Sequence, residues 1–136
     1  MANTDDLYLE FVASLKIDKI NLDETLRQQP TLFNMVCDQV HEKYKLAEQA
    51  KLNVETVKAA TCQTIREEAL KAGSKVTEGS VDEKCNINTE YVNARMAYID
   101  ANSVFKKWSD LKDAFYMRHE ELKEISRLTQ AGFSTI

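Results

Sequence analysis

From Thr31 to Ala72, and again from Asn88 to Gln130, the chain runs without proline or glycine and repeats apolar residues every three or four positions. That period predicts two very long helices. In the second, Ala97, Ala101, Val104, Trp108, Leu111, Phe115, Leu122 and Ile125 fall on alternating steps of three and four, broken only by Arg118. Such a seam is the mark of a helical hairpin or coiled coil, so Val104, Trp108, Leu111, Phe115, Leu122 and Ile125 are the expected hairpin or oligomer packing residues. The first long helix carries a looser stripe of Phe33, Val36, Val40, Tyr44, Ala47, Val54, Val57, Ile65 and Ala69, interrupted by Lys51 and Thr61.

The flanks punctuate these segments. Thr4 is placed to cap a short amphipathic helix whose apolar face is Leu7, Tyr8, Phe11, Val12 and Leu15, ending near Ile17. Asn21 or Asp23 then caps a turn of helix through Leu26, and Pro30 suits the first turn of the long helix because its missing N–H costs nothing there. Gly73 is a helix stop, and Thr77 and Asn88 are successive N-caps, so a short helix is expected between the long ones. The expected fold is therefore all-α. It comprises an acidic amphipathic arm over 1–29, an antiparallel long helical hairpin over 30–130 with a connector at 73–90, and a flexible tail over 131–136.

Length and charge refine this outline. A compact bundle of 136 residues could bury a real core. A forty-residue helix, however, spans roughly 60 Å, and two of them in one chain expose apolar surface along their length. Homo-oligomerisation is the expected remedy. With 18 basic and 22 acidic side chains, the net charge is −4, and bulk electrostatics do not favour nucleic acid. The acid excess is local: residues 1–29 carry three basic and six acidic side chains and 74–90 carry two and four, whereas 91–136 carry seven and six.

Candidate chemistry is sparse. Cys37, Cys62 and Cys85 are an odd, widely spaced set without a C-x-x-C pair, and the start Met1-Ala2-Asn3-Thr4-Asp5-Asp6 has no basic segment followed by an apolar one. The expectation is a cytoplasmic protein with reduced thiols and no membrane span. His41 and His119 have no metal-ligand partner at a useful spacing, and Gly73, Gly79 and Gly132 are too dispersed to form a phosphate loop. The acidic pairs Glu67-Glu68 and Glu120-Glu121 read as solvated helix surface. No catalytic residue, metal site or cofactor is assigned, and the chain is not expected to be an enzyme.

What remains is surface. Lys106, Lys107, Lys112, Arg118, Lys123 and Arg127 give the last helix a basic run, and Lys43, Lys45, Lys51 and Lys58 give one to the first long helix. Both runs are interleaved with acids. Single-stranded nucleic acid is bound by positive charge along a groove and by rings on which bases stack. Trp108 and Phe115 belong to the seam, so the lysines are the better candidates.

The order of signals resembles the UvsY-like recombination mediators of tailed phages and related small helical phage proteins. The resemblance rests on Asp6-Leu7, Ile17-Asp18 and Leu22, on the run Asp23 to Phe33, on Lys75-Val76-Thr77-Glu78 with Val81, on Tyr91 and Ala94-Arg95, and on Glu121 to Leu128. It implies an accessory protein, in the host cytoplasm if phage-encoded, that binds single-stranded DNA as an oligomeric ring. It also implies a role in helping a recombinase displace a single-strand-binding protein, without nucleotide hydrolysis. In the T-even relative a Lys-Ala-Arg step late in the long helix contributes to DNA binding; the matching place here is Val57-Lys58-Ala59-Ala60, which keeps the lysine and has alanine for the arginine. Lys51, Lys58, Arg66, Lys106 and Lys107 are the expected phosphate contacts. The alternative is an all-helical phage interaction module, an inhibitor or scaffold, that does not bind DNA.

Overall fold

The computed structural model describes residues 4–132. Every regular element among them is an α-helix: α1 Thr4–Ala13, α2 Leu22–Lys71, α3 Glu78–Asn86 and α4 Thr89–Gln130. The two long helices pack together. The chain divides into two compact units, one of Met1–Glu42 with Phe105–Ile136 and one of Lys43–Val104. Residues 4–29 fall in the first of these units, with the part of α2 that runs on to Glu42 and with α4 from Phe105 onward.

α2 starts eight residues ahead of Pro30, which lies inside a helix of 50 residues. The first turn is organised from outside it: Asp18 Oδ1 accepts from the amides of Ile20 (3.0 Å) and Asn21 (3.2 Å), and the Asn21 carbonyl accepts from the Thr25 amide. Pro30 cannot donate to the Leu26 carbonyl, and it stays in the helix because tertiary contacts hold the turn before it. Gln29 is buried there, and its amide donates to the Phe115 carbonyl at 2.9 Å.

The other helix ends follow their local chemistry. α1 stops at Ala13, four residues short of Ile17, where Ser14 Oγ bonds back to the Glu10 carbonyl. Thr4 is its first residue, and the cap expected from its side chain lies outside the described residues. Gly73 ends α2 with φ of 69°, a left-handed conformation that suits glycine. Its N–H bonds the Leu70 carbonyl while the Ser74 N–H reaches Ala69, satisfying two carbonyls the helix leaves open. Thr77 caps α3 by accepting from the Ser80 amide, and Asn88 caps α4 by accepting from the Tyr91 amide, both at 3.1 Å. Gly73→Ala should lower the unfolding free energy by about 1 kcal/mol, because a Cβ disfavours that φ although nothing stands in its way. Urea denaturation followed by circular dichroism checks this; an unchanged midpoint would contradict it.

The first unit is a three-helix core. Phe11 from α1, Val36 and Val40 from α2, and Trp108, Leu111 and Phe115 from α4 are buried together, with Leu7, Tyr8, Leu15, Leu32, Phe33 and Phe105 packed around them. Trp108 meets Tyr8 edge-on at 5.4 Å and Phe11 at 5.9 Å, and Phe11 meets Phe115 at 6.4 Å. Leu122 is buried further along α4, Ile125 is half-buried, and Val12 of α1 is exposed.

The second unit is built on Cys62, Val81, Cys85 and Tyr91, supported by Val54, Val57, Ile65 and Val76. Here α4 takes a different phase from the one its alanines and valine imply. Ala97 is exposed and Val104 is 38% exposed, while Tyr91 and Ala94 are buried and Tyr98 is half-buried. Just beyond this unit, Phe105 instead of Val104 packs on the first unit's core. The larger rings bury more apolar area than Ala or Val, so they set which face turns inward. Tyr44 of the expected α2 stripe is likewise 52% exposed.

Candidate nucleic-acid interface

The five cations expected to meet phosphate fall into two groups. Lys51, Lys58 and Arg66 are on α2 within the second unit; Lys106 and Lys107 are on α4 within the first. Lys51 and Lys58 are both exposed. Seven residues apart, they lie two turns from each other on nearly the same side of the helix. Neither of them, nor the exposed Lys106, enters an ion pair among the described residues.

Arg66 and Lys107 are engaged within the chain. Arg66 Nη2 donates to Glu78 Oε2 at 2.8 Å, tying α2 to the first turn of α3. The hydrogen bond and charge of Glu78 push the Arg66 guanidinium above its ordinary value. Lys107 Nζ sits 4.1 Å from the centroid of the Tyr8 ring, a cation–π contact that joins α4 to α1. Exposed acids share the surface: Glu55 lies between Lys51 and Lys58 on α2, and on α4 Arg127 pairs with Glu124 at 2.5 Å and Lys123 with Glu120 at 3.7 Å. Arg127 holds the Glu124 carboxyl below the usual carboxylate range.

Arg118 plays a part that its place in the sequence only hinted at. It interrupts the apolar seam, and a charged residue at a position that must turn inward needs acceptors. The structure supplies them: Arg118 is 4% exposed, its Nε donates to the Leu15 carbonyl at 3.1 Å and its Nη1 donates to Gln29 Oε1. Burial pushes its guanidinium below its ordinary value. This leaves it a buried structural cation with no route to a phosphate.

Comparison with protein-family models, with curated proteins and with solved structures finds no match to this chain. An open apolar cavity of about 310 Å³ in the first unit is lined by Gln29, Pro30, Phe33, Tyr116 and His119. The Tyr116 and His119 rings stand 6.5 Å apart at its edge, and the Gln29 amide is already used by Arg118 and Phe115. Among the described residues no three His, Cys, Asp or Glu side chains are grouped to hold a metal ion, and no helix is long and apolar enough to cross a membrane.

Proposed function

We propose that this chain is a non-enzymatic accessory protein of the recombination-mediator kind. In this reading it forms an antiparallel helical hairpin that assembles into an oligomer, binds single-stranded DNA and helps load a recombinase in place of a single-strand-binding protein. The observation that carries the DNA reading is the pair of exposed lysines, Lys51 and Lys58, two turns apart on α2 and outside any ion pair among the described residues. One such edge is weak, and a symmetric oligomer repeats it along one strand, so avidity supplies the affinity. Assembly is supported by uncovered apolar side chains in the second unit, where Leu52 is 62%, Met96 57% and Ile99 61% exposed.

The assembled protein should bind a fluorescent single-stranded oligonucleotide at low salt, with affinity falling steeply as salt rises because bound phosphates release counterions. Replacing Lys51 and Lys58 together with glutamate should weaken binding at least about tenfold and flatten the salt slope by roughly one for each phosphate no longer neutralised, at unchanged melting temperature. No measurable binding at low salt by the assembled oligomer would refute the DNA reading.

A second reading, a helical protein-interaction module indifferent to DNA, draws on the two cations already committed within the chain, Arg66 to Glu78 and Lys107 to Tyr8. It requires specific capture of one protein partner through an apolar helix face. Salt-sensitive DNA binding without such a partner counts against it.

A further inference from the structure

Cys62 and Cys85 come from segments 23 positions apart, on α2 and α3, and the fold buries them in one cluster of the second unit with Val81 and Tyr91. Cys85 is fully enclosed and Cys62 is 8% exposed. Both thiols are free, and Cys62 lies close enough to act on the Cys85 thiol and push it up. Cys37 is also free, but it is half-buried and belongs to the other unit. Of the three thiols, two are therefore gathered into one buried cluster by elements on either side of the Gly73 turn.

We propose that Cys62 and Cys85 form a native thiol pair that a peroxide-class oxidant converts into a disulfide, stapling α3 to α2. The chemistry closes with the atoms present. Cys62, the more accessible sulfur, attacks the peroxide oxygen, giving a sulfenic acid and releasing one water. The Cys85 thiolate then attacks the Cys62 sulfur, the S–S bond forms, and the hydroxyl leaves with a proton as a second water. Two thiols lose two electrons, and one peroxide is reduced to two waters.

The surroundings set the pace of this reaction. Burial and the neighbouring Cys62 push the Cys85 thiol up, while the nearby Lys58 charge pulls it down. A thiol pushed up yields less of the reactive thiolate, so oxidation of the pair is slow and accelerates as pH rises. The staple closes the loop that carries the Arg66 and Glu78 pair, so oxidation fixes that ion pair in place.

The test uses the full chain and a Cys37→Ser variant, whose substitution lies outside the Cys62 cluster. Each is treated with hydrogen peroxide while folded, the remaining thiols are alkylated in denaturant, and tryptic peptides are read by mass spectrometry. Expected is a cross-link between the peptides covering 59–66 and 85–95, formed equally in Cys37→Ser, with the unfolding midpoint raised by several degrees. The same oxidation in urea should lose this selectivity in the full chain and give mixed pairings with Cys37. The proposal is overturned if folded protein gives separately oxidised cysteines without the link, or if links to Cys37 form as readily as the Cys62 to Cys85 link.

Discussion

Replacing Trp108 with alanine should remove about 4 kcal/mol of stability, the largest loss expected from a single apolar truncation in this chain. Trp108 is 1% exposed, at the centre of the first unit's core. Its ring faces Tyr8 and Phe11 of α1 edge-on, so one truncation loosens α1 from α4 as well as opening a cavity. Each such ring pair adds about 1 kcal/mol beyond the buried area. Set against the roughly 5–15 kcal/mol typical of a folded domain, the loss is a large share of the total. Urea denaturation followed by far-ultraviolet circular dichroism measures it. Tyr116→Ala on the same helix is the control: Tyr116 is 56% exposed and should cost well under half as much. A Trp108 variant within about 1 kcal/mol of the parent would show that α1 does not depend on this ring.

Arg118→Met should cost about 3 kcal/mol, although it exchanges a charge for an apolar residue of similar length inside an apolar seam. Desolvation alone would favour methionine at such a position. The deciding factor is what the guanidinium leaves behind, because the Leu15 carbonyl and Gln29 Oε1 would lose their donor in a buried place. Arg118→Lys should restore little of this, since a single ammonium lacks the planar fork that reaches both acceptors. A double-mutant cycle with Gln29→Leu isolates the coupling, expected at about 1–3 kcal/mol because the two side chains touch. Additive effects in that cycle would mean that Arg118 acts through Leu15 alone.

The bonds that Arg118 makes also account for the early start of α2. Taken by itself, the run from Asn21 to Leu26 is one turn of helix cut off by Pro30. In the folded chain Gln29, held between Arg118 and the Phe115 carbonyl, fastens that turn to α4 and carries the helix through the proline. A contact across 86 positions decided this, and no local signal in the sequence contains it.

The caps, by contrast, were legible residue by residue. Thr77, Asn88 and Gly73 act through backbone groups no more than five positions away, so their roles depend on near neighbours along the chain. The expected phosphate contacts were only partly legible. Exposed Lys51, Lys58 and Lys106 need nothing from the fold, whereas Arg66 and Lys107 found partners, Glu78 and Tyr8, that only folding could bring to them.

By itself, the sequence determined that the chain is helical, where α3 and α4 begin, where α2 ends and which residues fill the centre of the α4 seam. All of these follow from periodicity and from hydrogen bonds within about one turn. The tertiary structure decided the rest: the start of α2 ahead of Pro30, the phase of α4 at Phe105 in place of Val104, the burial of Arg118, and the meeting of Cys62 with Cys85. Each depends on which side chain, far along the chain, arrives to fill space or satisfy a buried polar group.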